Sequence, residues 1–558
     1  LNLKHFIVAF FVLSLFGCDK LPVAQDPPIL SNVPTMAQIA DSLNRVSALS
    51  SKWAMVGDSI VYSKPYAIDW EKEFQSFLKD DVNKQRFADA YTITDSTASG
   101  IRSIAFSAVQ ETQEIRSVKI VIDKGRVTHY SIHKERSNLL SSSSQFFRFD
   151  ESSYELNIRQ SIRWFFDNEQ FVHGNILPEG KLWHGVFHHD LKQIPIQFVI
   201  TPTNDLIVKN DNEFLTFHAT EPNGDSITYE SAYFSSCFIF SQLNDSTLEG
   251  RWINKKRDVA QSIKIIASSH VPYRFKPAHK PHVDVSGNHK FNFINEQGAL
   301  EENNILKLEQ NNFLLTGSLL TETGDYRFLE GVIKNDSIYL STMDGTHLMY
   351  FEGFVQKDKI SGKFLAGSSY NQQWVAELNT EVKLSNPESI THLNPNQKFD
   401  FAFPDETGSI ISRSDDQFKN KVLLVSIMGT WCSNCLDESL FLKELHEEYS
   451  QEKLSIVALD FELVSDSIRA IENIKKYKKN INIEFPILLA ATHSSKEVAA
   501  AALPSLNGIF SYPTLVVLNK NHEVIKIHTG FSGPATGEEN YVAFTNSYRK
   551  LINELIYE

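Results

Sequence analysis

Three features of this 558-residue sequence predict a multidomain chain with an N-terminal α+β domain, two tandem antiparallel β repeats and a C-terminal α/β domain. After residue 390, apolar runs of strand length alternate with runs of helical period, the pattern of a sheet covered by helices. In the middle of the chain, short sequence blocks recur at an offset of 111–112 residues. Ahead of them, helix-period and alternating runs are mixed. Length alone implies roughly three or four domains. A content of 42% hydrophobic and 22% charged residues describes an ordinary folded protein. The net charge of −14 argues against non-specific binding to nucleic acid or acidic lipid.

Taken in order, residues 1–17 read as a signal peptide. Lys4 and His5 form a short basic region, and the apolar run Phe6 to Phe16 is too short to span a bilayer. Leu15-Phe16-Gly17-Cys18 resembles the lipobox of bacterial lipoproteins. That resemblance implies lipidation at Cys18, a membrane anchor, and a body exported to the cell envelope, where cysteines are free to oxidise. Residues 18–35, with Pro22, Pro27, Pro28 and Pro34, form the tether.

Residues 36–175 read as the α+β domain. Met36, Ile39, Ala40, Leu43 and Val46 share one helix face, and Trp70, Phe74, Phe77 and Leu78 another. Val118 to Ile122 and Thr128 to Ile132 alternate around Asp123-Lys124-Gly125, a hairpin. Asp69-Trp70-Glu71-Lys72-Glu73 and Asp81-Val82-Asn83-Lys84 resemble N-terminal domains of bacterial envelope lipoproteins, with no chemistry attached.

The β repeats cover 176–275 and 283–384. Asp225-Ser226-Ile227-Thr228-Tyr229 returns as Asp336-Ser337-Ile338-Tyr339-Leu340, and Leu248-Glu249-Gly250-Arg251-Trp252 as Ile360-Ser361-Gly362-Lys363-Phe364. Short alternating strands joined at Asn223-Gly224, Asn244-Asp245 and Asp344-Gly345 predict sandwich- or barrel-like modules, or one larger shared sheet. Pro272, Pro277 and Pro281 mark the joint between copies, and residues 385–397 the exit. In this alignment Cys237 falls opposite Leu348, which makes it a core position rather than a reactive thiol.

In residues 390–558 the expected strands are 422–428, 454–461, 484–490, 514–519 and 523–528. The expected helices are 435–450, 465–479, 496–503 and 540–556. Gly429-Thr430-Trp431-Cys432-Ser433-Asn434-Cys435 lies where the first strand turns into the first helix. Unpaired N–H groups and the helix dipole gather there and favour a thiolate. Cys432 is expected as the exposed attacker and Cys435 as the resolving thiol. A Trp-Cys-x-x-Cys run in this setting reads as a thioredoxin-like redox site. The zinc half-site alternative finds no second pair of ligands. Glu438 shares the helix face of Cys435 and is either its proton acceptor or a surface residue of the first turn. Tyr512-Pro513-Thr514, ahead of a strand, resembles the thioredoxin loop whose proline is cis and lies against the disulfide.

Residues 398–558 resemble the TlpA-like (ResA-like) disulfide reductases of the bacterial envelope, in the thioredoxin superfamily. The likeness runs through Phe399 to Phe403, Trp431-Cys432-Ser433-Asn434-Cys435, Glu438, Tyr512-Pro513-Thr514 and Lys526-Ile527-His528-Thr529-Gly530-Phe531. It implies a redox-active Cys432–Cys435 disulfide, Glu438 serving the buried cysteine, and substrate contact at Trp431, Tyr512 and Pro513. Disulfide-bearing envelope proteins are the implied substrates and a membrane thiol carrier the electron donor. Three departures stand out: Asn434 and Leu440 replace prolines common in the family, and Ser426 stands where thioredoxin has a buried aspartate. Thr323-Gly324-Asp325-Tyr326-Arg327 resembles domains that precede such reductases.

The expectation is therefore an envelope-anchored thiol–disulfide oxidoreductase acting as a reductase, without cofactor or metal. The rival is a binding or scaffold lipoprotein whose β repeats carry the function. A thiol peroxidase is disfavoured because nothing before Gly429 supplies the proline of its Pro-x-x-x-Thr-x-x-Cys motif. His184, His188 and His189 crowd one strand without a companion carboxylate or cysteine cluster. Lys475-Lys476-Tyr477-Lys478-Lys479 reads as a solvated helix face. No phosphate-binding glycine loop and no Gly-x-Ser-x-Gly elbow occurs.

Overall fold

A computed structural model describes residues 27–557, apart from 46–47, 57–58, 99, 165 and 277–280. The expected signal peptide and Cys18 lie outside the described residues. No helix among those described is long and apolar enough to cross a membrane.

The N-terminal unit is one antiparallel sheet of ten strands. Its core gathers Trp70, Phe74, Phe77, Phe147 and Phe149 with Met36, Ile39 and Ala40 of the helix Met36–Asn44. Thr35 caps that helix with Gln38 in a reciprocal capping box. The second expected helix shortens to Trp70–Glu73 followed by turns, although Trp70, Phe74 and Phe77 are all buried as their spacing requires. The hairpin forms from Ile115–Asp123 and Arg126–Ser137.

Both repeats are closed eight-stranded meanders. The first barrel runs from Lys181–His188 to Gln261–Ser268, and these two strands pair to close it. The second runs from Gly287–Ile294 to Tyr370–Leu378 and closes by the same pairing. The repeated blocks fall on equivalent strands: Ser226–Ser231 with Ser337–Met343, and Thr247–Asn254 with Lys359–Ala366. Cys237 and Leu348 also occupy equivalent strands, and both are buried. Closure removes free sheet edges from each repeat, which a lone antiparallel sheet would expose. The barrels pack together through Asn210, whose Nδ2 donates to the Met343 carbonyl at 2.9 Å. Asn254 does the same to Thr346 at 2.6 Å.

The C-terminal unit has a five-stranded sheet in the order β3-β2-β1-β4-β5. Its elements are β1 (Val422–Met428), α1 (Ser433–Glu448), β2 (Leu454–Phe461), α2 (Ser467–Ile481), β3 (Ile487–Ala491), α3 (Lys496–Ala502), β4 (Thr514–Leu518), β5 (Val524–Thr529) and α4 (Glu538–Tyr557). β1 is buried along its whole length, as a central strand covered on both faces must be. The Lys475–Lys479 run is not a wholly solvated face. Tyr477 is buried in the core, and Lys476 Nζ donates to the Phe234 carbonyl of the first barrel at 3.1 Å. The apolar part of α2 at Tyr477 and the barrel loop beside Lys476 together take the middle of the run out of solvent.

Gly250 and Gly362, the glycines of the repeated block, each pack against a neighbouring strand so closely that a Cβ would strike the Ile239 or Glu352 carbonyl oxygen. Gly250→Ala and Gly362→Ala are each expected to destabilise the chain by about 1–3 kcal/mol through overpacking. The check is the shift of the urea midpoint followed by tryptophan fluorescence.

Candidate active site

The end of β1 delivers Gly429 to Cys432 to the carboxyl edge of the sheet, and α1 starts immediately. Cys432 is the N-cap of α1, and its Sγ accepts the Cys435 N–H at 3.1 Å. The two cysteines form a disulfide. Cys432 Sγ lies 3.4 Å from the Tyr512 carbonyl oxygen, and the Tyr512–Pro513 peptide is cis. Trp431 donates its indole N–H to the Phe461 carbonyl at 2.9 Å and meets the Tyr512 ring edge to face. Cys432, Cys435, Trp431, Tyr512 and Pro513 therefore come together.

Cys432 is not the exposed attacker expected from the sequence: it is 6% exposed. A turn of the second barrel, residues 321–327, sits close by. Asn434 Nδ2 donates to the Asp325 carbonyl at 3.1 Å, and Ser511 Oγ to the Thr323 carbonyl at 2.7 Å. Any side chain at Gly324 would run into Asn434. Arg327, held at φ +58°, reaches past this turn into a buried ion-pair network with Glu213 of the first barrel and Asp437 of α1. Burial pushes the Asp437 carboxyl up to about 7, against the opposing pull of Arg327.

Glu438 is buried on α1, one turn after Cys435. Ser426 donates to its Oε2 at 2.5 Å, while Oε1 has no partner among the described residues. Burial raises its pKa to about 8 and the Ser426 hydroxyl opposes the rise. Between the two readings left open by its spacing, the surface role is thus excluded. A carboxyl with a pKa of about 8 populates both forms near neutral pH, and its ionised form can accept a proton from a thiol.

Several groups at the site escaped the sequence reading. Thr430 donates its N–H to Asp460 at 3.0 Å and its hydroxyl to Glu462. Burial raises both acids, and the Glu462 charge adds to the rise of Asp460. Asp460 ends an apolar strand beside the motif, and that position was the available signal. From the barrels come Asp344, His347 and Lys256. Asp344 lies 2.9 Å from His347 Nδ1, and His347 Nε2 lies 2.8 Å from Lys256 Nζ. Although burial would raise Asp344, His347 with the Thr346 N–H and the Ser433 hydroxyl holds it well below the carboxylate range. Asp344, His347 and Lys256 border a cleft of about 370 Å³ that reaches Cys432.

The histidines of the first barrel do not converge. His184 is half-buried, His188 is exposed, and His189 follows the strand and is buried near the Tyr370 carbonyl at 3.1 Å. Among the described residues no group of three or more His, Cys, Asp or Glu side chains is arranged to hold a metal.

Residues 395–543 match the Redoxin family. The chain is 27% identical over 131 residues to the thioredoxin-like protein YneN of Bacillus subtilis, covering 24% of this chain and 68% of that one. It is 26% identical over 126 residues to the thiol-disulfide oxidoreductase ResA of Bacillus thuringiensis, covering 23% and 64%. The chain thus spans about two thirds of the length of these relatives. Among solved structures, a thiol:disulfide interchange protein of Chlorobium tepidum aligns over 30% of this chain and 99% of its own, with 15% identity and a TM-score of 0.22.

The Glu438 pKa sets a pH dependence. Below about pH 4.5 the carboxyl is protonated both folded and unfolded; between there and about 8 only the unfolded chain releases the proton. Stability therefore falls as pH rises through that window. Glu438→Gln is expected to remove this part of the decline. Urea midpoints at about pH 5 and pH 8 should lie closer together in the variant than in the parent.

Proposed function

We propose that this chain, whose C-terminal unit is a TlpA/ResA-like domain of the thioredoxin superfamily, is a thiol–disulfide oxidoreductase of the bacterial cell envelope that acts as a reductase. The observation that carries the reading is Cys432 Sγ at the N-cap of α1, accepting the Cys435 N–H at 3.1 Å. In the reduced state this donor and the helix dipole stabilise a Cys432 thiolate. The thiolate attacks a substrate disulfide; one substrate sulfur bonds to Cys432 and the other leaves as a thiolate that takes up a proton. Cys435 gives its proton to the ionised form of Glu438, which a carboxyl with a pKa of about 8 partly populates near neutral pH, and then attacks Cys432 Sγ. The protein disulfide forms, the second substrate thiol departs, and two electrons have passed to the substrate. Trp431, Tyr512 and Pro513 hold the substrate segment beside Cys432.

Envelope proteins with disulfides are the substrates in this reading, a membrane thiol carrier restores the dithiol, and lipid on Cys18 anchors the chain. The scaffold alternative treats the barrels as independent of the redox unit. Their residues Asp344, His347 and Lys256 border the redox cleft, which supports a single device instead.

Cys435→Ser leaves the mixed disulfide on Cys432 unresolved. Expressed in an envelope-exporting host, this variant is expected to accumulate reducible adducts at Cys432. Absence of adducts, with a Cys432→Ser/Cys435→Ser double variant as the blank, would sink the reductase reading.

A further inference from the structure

Disulfide exchange uses the two cysteines, Glu438 and the loop at Pro513; it has no need of the cation that the barrels bring to the same cleft. Lys256, from the first barrel, is half-buried, and loss of solvent around it lowers its pKa to about 8 against the pull of Asp344. Its Nζ makes one described side-chain contact, 2.8 Å to His347 Nε2. His347 in turn directs Nδ1 toward Asp344 at 2.9 Å. Asp344 receives the Ser433 hydroxyl, at the first residue of the redox helix. An ammonium has three N–H donors, so two on Lys256 have no described acceptor. The same cleft has an apolar wall that includes Tyr326, Met349 and Phe364, and its volume of about 370 Å³ lies at the small end of ligand pockets. A cation with spare donors, fixed by a neighbouring histidine and carboxylate, is a receptor for a carboxylate.

We propose that the cleft over Cys432 is a substrate subsite that selects disulfides carrying a nearby carboxylate on a small molecule or an extended segment, and that Lys256 binds that carboxylate. The inference rests on the oxidoreductase reading and specifies its substrate class. The turn 321–327 supplies part of the wall of this cleft of about 370 Å³ beside Cys432, a volume that suits an extended or small substrate. Lys256 is a specificity residue: it orients the substrate so that one sulfur meets Cys432, and the electron and proton transfers are those already described.

The test uses pre-reduced full-length protein, freed of reductant and mixed with a disulfide while tryptophan fluorescence reports oxidation. Glutathione disulfide supplies carboxylates and bis(2-hydroxyethyl) disulfide has none. The ratio of their second-order rate constants is expected to fall about tenfold or more in Lys256→Met, the loss of one charge-assisted hydrogen bond. In Lys256→Arg, which keeps the charge, it should stay within about threefold of the parent. An unchanged ratio in the methionine variant overturns the proposal, as does an equal loss in both variants. Acidic and neutral versions of one short disulfide-linked peptide separate the two sources of the carboxylate. A Lys256 dependence of their ratio identifies a polypeptide segment; a dependence confined to glutathione disulfide identifies a small molecule. Failure of the parent protein to react with any of these disulfides would overturn the oxidoreductase reading itself, a result distinct from loss of selectivity.

Discussion

The guanidinium of Arg327 ties the redox helix to both barrels. It lies buried between Glu213 of the first barrel and Asp437 of α1, with Asp325 of its own turn beside it. Removing one partner from a buried ion pair leaves an uncompensated charge and typically costs about 3–5 kcal/mol, so the three units hold one another in register. Three carboxyls around one cation leave the network short of positive charge. Burial is the main cause of the raised pKa values of Asp437 and Asp325, and the neighbouring carboxylates add to it. The turn that carries Arg327 also borders Cys432, so the charge network and the shape of the cleft have a common cause.

Buried acids adjoin the elements of the cysteine motif at two places. Glu438 lies behind Cys435 and is held by Ser426. Asp460 and Glu462 accept the N–H and the hydroxyl of Thr430, and the Glu462 charge helps to raise Asp460. Ser426 stands at the β1 position where thioredoxin carries its aspartate; here the serine hydroxyl hydrogen-bonds the carboxyl that α1 supplies. Here the buried carboxyl comes from the helix, one turn after Cys435.

Much of the C-terminal unit was legible in the sequence because its cues are local. β1, β2 and β4 are apolar runs of strand length, and the Trp-Cys-x-x-Cys motif marks the strand-to-helix junction directly. The barrel repeat was legible too, since Gly250 and Gly362 answer the same close approach of a neighbouring strand. The concealment of Cys432 was not. It depends on a turn more than a hundred residues away in sequence, and no local pattern says where Thr323 to Arg327 will lie. Lys256, Asp344 and His347 were silent for the same reason: each is an ordinary polar loop residue until two barrels and a helix N-terminus converge on it.

Phe234 belongs to the first barrel in sequence but packs inside the hydrophobic cluster that holds Cys435, Leu436 and Tyr477. Ser235 beside it donates to Asn473 of α2 at 2.7 Å, and Lys476 closes over the Phe234 carbonyl. The border drawn by sequence pattern near residue 390 is therefore not the border of the core. A redox unit transplanted without its barrels would carry an empty aromatic socket on α2. In the whole chain that socket acts as a latch, so loosening the first barrel loosens the ground on which the cysteine helix stands.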